Sequence, residues 1–418
     1  MPRITSIAGQ ASSGGPSGPS LLHTLDNPND YDTSASDNFG SSAAISGNYA
    51  IVGARYEDDA GGAQSGKAYI FNVTTGNLLH TLDNPNSYST SAGDQFGEFV
   101  AINGTLAIVG APREASNVGP QEGAAYIFNV TTGALVHTLT NPNAYGGGSG
   151  DRFGSAVAIH GSYAIVGAYA ENDANGNDSG KAYIFNTSTG ALVTTLDNPN
   201  PYDTGANDWF GFAVGISTNY AIVGAYGEDE AGNQFSGKAY VYTVPNGNLV
   251  HTLDNPNDYG TSAADGFARS LDISGNYAIV SAYNEDDADG NDSGKVYIFN
   301  AQTGSLVHTL DNPNAYGTSA NDQFGNSVAI DGDRAIVGAW GEDEGAFTSS
   351  GKAYIYDVTT GTLLATLDNP NAYSTANSDY FSYNAVGISS SSNRAIVGAI
   401  LEDDAPANAS GKAYLFNL

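Results

Sequence analysis

One segment of this chain is written seven times. Asp-Asn-Pro-Asn begins at Asp26 and returns at Asp83, Asp197, Asp254, Asp311 and Asp368, with Thr140 replacing the Asp in the remaining copy. A Phe with an Asp two residues before it recurs at Phe39, Phe96, Phe153, Phe210, Phe267, Phe324 and Phe381. Val-Gly-Ala places its Gly at Gly53, Gly110, Gly167, Gly224, Gly338 and Gly398, with Ser281 in the fifth copy. The step is 57 residues, lengthened to 60 at the end by three extra residues assigned to the Ser-rich turn near Ser391. A period of this length points to stacked copies of one supersecondary unit.

Within a copy the pattern alternates every second residue over short runs, which is the signature of strands. In the first copy, Phe39–Ser46, Tyr49–Ala54, Lys67–Val73 and Leu78–Leu82 read as strands, and no segment reads as a helix. Ser46-Gly47-Asn48 and Thr74-Thr75-Gly76 supply residues suited to tight hairpins. A four-stranded sheet cannot cover both its faces alone, so neighbouring copies must cover one another. The expected fold is therefore all-β, a seven-bladed β-propeller with four antiparallel strands per blade.

The ends of the chain sharpen this. Leu418 aligns with Val73 and Ser17 with Thr74, so the chain opens inside the turn between the third and fourth strands. Leu21–Leu25 should then pair beside Lys412–Leu418 and close the ring. An open solenoid is the alternative, but it calls for atypical capping repeats that neither end has. The expected division is a tail over 1–16, flexible or docking against a partner, and a propeller over 17–418.

Composition narrows the function. With 13 Lys+Arg against 44 Asp+Glu, the net charge of −31 disfavours nucleic acid and anionic lipid as partners. The absence of Cys excludes disulfides, thiolate metal sites and cysteine nucleophiles. No apolar run approaches the roughly 18 residues of a membrane helix, and residues 1–20 lack the apolar stretch of a secretory signal.

With Phe96-Gly97 opening a first strand and Gly110-Ala111-Pro112 closing a second, the repeat resembles the FG-GAP family, the propeller units of integrin α subunits and many bacterial surface proteins. The resemblance spans 17–418. The near-identical copies are also similar to arrays in marine bacteria and in structural proteins of their phages. The family often carries a calcium loop between the first two strands. Here that connection is a tight turn such as Ser274-Gly275-Asn276, so the family's metal site does not carry over.

An acidic loop lies instead between strands two and three. In the fifth copy Glu285, Asp287, Asp289 and Asp292 surround Gly290, and in the third Glu171, Asp173, Asn175 and Asp178 surround Gly176. Hard oxygens spaced around a Gly turn suit Ca²⁺, which is the expected cofactor of these two loops. Acidic turns that only confer solubility are the competing reading, because the other five copies have Gly61, Val118, Gly232, Ala346 and Pro406 at position five.

These loops and the inter-blade Asn-Pro-Asn loops should emerge on one face. That face is expected to carry Tyr31, Tyr88, Tyr145, Tyr202, Tyr259, Tyr316 and Tyr373 and a ring of Glu at 57, 114, 171, 228, 285, 342 and 402. Residues present in every copy read as scaffold. The Asp before each Phe should cap its loop through backbone N–H groups. The six lysines, all in one repeat position, should be ion-paired, and five histidines in another (His23, His80, His137, His251, His308) should pack on the surface.

Four aromatics follow the Gly-Ala or Ser-Ala pair: Tyr169, Tyr226, Tyr283 and Trp340. They are the candidate ligand contacts, since an aromatic ring gives apolar area for stacking on a sugar at low entropy cost. Departures elsewhere are modest: Ala124 for Lys, Ala268 and Ser281 for Gly, Ser382, and the insertion in the last copy. None assembles a triad, a carboxylate pair or a His cluster, so no enzyme is expected. The reading is a non-enzymatic extracellular propeller. A virion component that needs no secretion signal and contacts other virion proteins through the tail comes first; a bacterial surface adhesin or glycan-binding propeller is the alternative.

Overall fold

The computed structural model describes residues 18–29, 36–59, 62–86, 91–115, 120–142, 150–172, 176–200, 206–229, 235–257, 264–286, 291–314, 320–343, 348–370, 378–402 and 409–418. Among them, every element is a strand, and the strands form seven four-stranded antiparallel sheets. Blade one runs Phe39–Ser46, Tyr49–Ala54, Lys67–Asn72 and Leu78–Asp83, within one residue of the sequence reading. In the seventh sheet Ser20–Asp26 supplies the outer strand, antiparallel to Lys412–Asn417, with Leu25 opposite Ala413. The ring closes as expected.

The core lies between blades. Each apolar cluster joins two neighbours: Ile51, Ile70 and Leu82 of blade one pack on Phe96, Val109 and Tyr126 of blade two. The same arrangement joins blade seven to blade one through Leu25, Ala385, Leu415, Phe39 and Tyr69. All seven repeat Phe side chains are fully buried. In blade one the Phe39 ring meets Tyr69 and Phe71 edge-on at 5.8 and 6.1 Å. Each such ring contributes about 1.5–3 kcal/mol through burial alone. The Gly of Val-Gly-Ala is explained by the same closeness. A Cβ on Gly53 would sit 1.9 Å from the Gly97 carbonyl oxygen of the next blade.

Seven hydrogen-bonded junctions join the blades around the tight-turn end. They run Gly104 N–H to Ser46 Oγ, Gly161 N–H to Asn103 Oδ1, His160 with Thr218, and Ser217 Oγ to the Gly275 carbonyl. Gly332 N–H to Ser274 Oγ and Ser390 N–H to Asp331 Oδ2 follow, and Gly47 N–H to Ser389 Oγ completes the circuit. On the outer rim the histidines do more than pack. His23, His251 and His308 each place Nε2 3.0–3.1 Å from a turn carbonyl of the following blade.

The lysines are paired as expected, each with an Asp on the neighbouring outer strand. Lys67 reaches Asp83 at 3.3 Å, Lys295 reaches Asp311 at 3.1 Å and Lys352 reaches Asp368 at 3.2 Å; Lys181, Lys238 and Lys412 pair with Asp197, Asp254 and Asp26. Blade two carries neither partner. Ala124 stands directly opposite Thr140, so the two departures read separately in the sequence are one lost pair.

One expectation gains detail and one needs correction. Among the described contacts, side-chain amides reach the inter-blade Asp: Asp37 Oδ2 accepts from Asn27 and Asn29 at 2.8 and 2.7 Å. The Asp thus clamps the Asn-Pro-Asn corner, and Asp94, Asp208, Asp265 and Asp322 repeat the clamp. The insertion in blade seven is also divided. Phe381 pairs with Ala399 and Val386 with Val397, whereas blade one spans Phe39 to Ala43, opposite Val52. One extra residue therefore lies inside the first strand, and two lie in the Ser-rich turn.

Candidate ligand-binding face

Strands two and three of each blade are joined on the same face as the inter-blade connections. The last carbonyls of one blade's acidic loop receive the Phe N–H that opens the next, as in Phe96 to Ser65 at 2.9 Å and Phe210 to Ser179 at 3.0 Å. The Tyr positions of the Asn-Pro-Asn loops, 31 to 373, lie outside the described residues.

The repeat Glu residues are described, and they are not a surface ring. Glu57, Glu171, Glu228 and Glu285 are wholly inaccessible, and Glu114, Glu342 and Glu402 are nearly so. Each accepts a hydrogen bond from the Tyr twelve residues on. Tyr183 lies 2.7 Å from both oxygens of Glu171, and Tyr297 lies 2.8 and 2.7 Å from those of Glu285. Burial drives these carboxyls up against the opposing hydrogen bond, to about 7 for Glu57, Glu285, Glu342 and Glu402 and about 8 for Glu114, Glu171 and Glu228. A sequence alone shows an acidic residue near a loop; only the packing shows that it points into the core.

This bears on the metal expectation. The first ligand of each proposed set, Glu171 and Glu285, has both oxygens engaged by a buried hydroxyl. Asp173, Asn175, Asp287 and Asp289 lie outside the described residues. Asp178 and Asp292 hold positive φ, and their N–H groups are received by the side chains of Asn172 and Asp286 at 2.8 and 2.9 Å. Among the described residues no group of three His or carboxylate side chains is placed to hold a metal.

The four candidate aromatics sit half-buried at the long-loop end of strand two, and they have neighbours that the sequence reading passed over. Tyr226 stacks on Trp209 at 5.6 Å and meets Phe212 at 5.1 Å; Tyr169 meets Phe212 at 5.4 Å. Trp209 also meets Phe235, which is 41% exposed. The Tyr283 and Tyr226 hydroxyls are 3.4 Å apart, and the Arg269 guanidinium lies 4.8 Å over the Tyr283 ring. Trp340 packs edge-on against Tyr380 and Tyr383 at 4.6 and 5.3 Å, and its indole N–H donates to Gln323. The structure thus brings Tyr169, Tyr226 and Tyr283 into one cluster and places Trp340 in another.

Phe212 and Arg269 connect the first cluster to the mouth of the central channel, while none of the four candidate aromatics itself lines the cavity there. A cavity of about 220 Å³ there is walled by side chains that include Phe99, Phe212, Arg269, Asn326 and Asn384. Below it a second cavity of about 390 Å³ is lined by the first strands of all seven blades. Asp272 stands in that channel where other blades have Ala or Gly. Its oxygens are held by the N–H groups of Ile273 and Ile330, so it is a stitch between blades five and six.

The signal that would have found the mouth was present in the sequence. The second residue after the repeat Phe is Ser41, Glu98, Ser155, Phe212, Arg269, Asn326 and Tyr383, a column that changes nearly every time in a chain that otherwise copies itself. On the blade-two side, half-buried Glu98 receives Arg55 Nη1 at 3.3 Å. Burial raises the Glu98 carboxyl, opposed by Arg55, Arg113 and Arg152.

Seven blades around a channel, with one differentiated face, define a ring-closed β-propeller. A model of the FG-GAP repeat matches residues 30–71, 89–128, 143–185, 200–242, 258–299 and 314–356, and the chain belongs to that family. The seventh copy, with Ser382 and the inserted residues, falls outside the matches yet forms a complete blade. No curated protein matches the chain.

Proposed function

We propose that this protein is a non-enzymatic binding propeller, working outside the cell on the surface of a virion or of a bacterium, and that it presents the long-loop face to its ligand. One observation carries this reading: Phe212, Arg269 and Asn326, members of a repeat column that changes nearly every time, meet at the channel mouth. A part that served only as a spacer would gain nothing from differentiating one ring position in a scaffold otherwise held constant. Concave sites with aromatic walls and a few convergent polar groups are where ligands bind. The described residues at the mouth offer no nucleophile beside a base, which favours recognition over turnover.

The test is retention of the full chain on glycan arrays and on intact host-type cell surfaces. A variant carrying Phe212→Ala and Tyr383→Ala together should lose retention while keeping its melting temperature. Unchanged retention by that folded variant, or turnover of a retained glycan, overturns the reading.

A further inference from the structure

We infer that the mouth between blades four and seven is a site for a carboxylate-bearing sugar, with Arg269 as the group that receives the carboxylate. This rests on the binding reading above and names the chemistry of its ligand.

The departures of blades five, six and seven converge on this point. Arg269 follows Ala268, which holds φ +65 where most blades have Gly. It precedes Ser270, whose carbonyl and N–H are both engaged by the hydroxyl of Ser281 at 3.0 and 3.2 Å. Ser281 is the residue that replaces the strand-two Gly of the other copies. In blade seven the extra residue of the first strand accompanies two further positive-φ positions, Ser382 at +72 and Asn384 at +55. A one-residue bulge re-aims side chains, and here it sets Asn384 Oδ1 3.4 Å from Arg269 Nη1. Ser327 Oγ donates to the Ser382 carbonyl at 2.6 Å, and Ser382 Oγ to the Lys352 carbonyl at 2.7 Å. Asn384 N–H lies 3.4 Å from Asn326 Oδ1. Ala268 and Ser382 hold at positive φ the position that is Gly in the other five blades, a substitution that costs free energy, and such strain collects at ligand sites.

The chemistry of the walls selects the ligand. A guanidinium presents a planar fork matched to a carboxylate, and Arg269 is held by the Tyr283 ring beneath it. Phe99 and Phe212 offer apolar faces, while Ser270, Ser327, Asn326 and Asn384 offer hydroxyl and amide groups in the same cavity. A sugar ring needs that combination, with one apolar face and several hydroxyls. About 220 Å³ is below the roughly 300–1,000 Å³ of sites for drug-sized ligands and suits a single ring. The lysines contribute nothing here, since each is paired with an Asp on an outer strand.

The net charge of −31 opposes anions at long range, but at physiological ionic strength that field is screened beyond about 8 Å. A small sugar acid escapes most of the repulsion, whereas an acidic polypeptide spanning the face meets all of it. This favours the sugar.

The experiment is titration calorimetry of the full chain at physiological salt with tri-galacturonate and with sialyllactose, each beside its carboxyl-reduced counterpart, and with an oligoglutamate peptide. At least one acid sugar should bind, with its reduced form weaker by about tenfold or more. Arg269→Gln should lose a similar factor, Arg269→Lys should recover only part of it, and Arg334→Gln on the opposite face should change nothing. Near-UV circular dichroism confirms that each variant is folded. Equal binding of acid and reduced sugars, or a folded Arg269→Gln with unchanged affinity, overturns the carboxylate assignment and leaves the binding face standing. Preference for the peptide, or no binding of either acid by a chain still retained on its surface ligand, also overturns it. Loss of all retention returns the failure to the binding reading itself.

Discussion

The hydroxyl of Tyr126 lies 2.7 Å from both carboxylate oxygens of Glu114, and the position that holds a lysine in the other blades is Ala124. Glu114 is pushed to about 8 by burial, against the opposing hydrogen bond from Tyr126. With folded-state values of about 7 to 8 above the ordinary 4.5, the seven Glu residues favour the fold when protonated. Their contribution is complete below pH 4.5 and is lost as pH rises through 7 to 8. The melting temperature should therefore be higher at pH 5 than at pH 9. Glu114→Gln, which keeps the neutral shape, should flatten the high-pH part of that loss. A melting temperature that rises steadily from pH 5 to pH 9 would contradict the assignment.

The missing pair of blade two can be rebuilt. Ala124→Lys together with Thr140→Asp recreates the cross-strand contact of the other six blades. Because the Asp partner is more than half exposed in those blades, the coupling should be modest, about 0.2–1 kcal/mol in a double-mutant cycle by denaturant unfolding. Zero or negative coupling would mean that the lysines serve packing only.

Ring closure makes a sharp truncation prediction. Removing residues 1–17 should leave the melting temperature unchanged, because the closing strand begins at Ser20. Removing residues 1–26 deletes that strand and exposes the Lys412–Asn417 edge. Loss of Leu25 burial alone costs about 1.5–3 kcal/mol, and the ladder hydrogen bonds go with it. Equal melting of the two truncations would refute closure.

Calcium in blades three and five, as the sequence suggests, would rest on half-buried loop acids such as Asp178 and Asp292, because Glu171 and Glu285 are committed to tyrosines. Affinity should then fall in the weak extracellular range, with dissociation constants of about 10⁻⁴–10⁻³ M. Millimolar calcium should slow proteolysis within 172–178 and 286–292, and EDTA should reverse this with little change in melting temperature. Protection that is identical in both conditions removes the metal from these loops.

Much of the fold was legible because invariant positions have a single job. The Phe column, the lysine column and the strand limits all follow from a pattern repeated seven times, and the pairing of Leu25 with Ala413 follows from where the repeat breaks. The mouth was less legible for the converse reason. Trp209, Phe212, Tyr380, Tyr383 and Arg269 vary between copies, and a reading weighted toward invariance treats them as noise. The Glu column misled because composition gives charge but not direction; Tyr69 draws Glu57 inward. The extra residue beside Asn384 could be located only by cross-strand pairing, since counting between motifs assigns it equally well to the turn.

The circuit of contacts from Ser46 through Ser389 to Gly47 also sets how the molecule comes apart. A row of stacked repeats with free ends can melt inward one unit at a time. A closed row has no first unit to lose. Unfolding must begin by tearing a junction that is backed on both sides, so partial opening is rare and the loss of structure is nearly all-or-none. For the extracellular role proposed above, among proteases and without chaperones, the benefit is kinetic persistence, and the joint between the two ends of the chain is where it can be defeated.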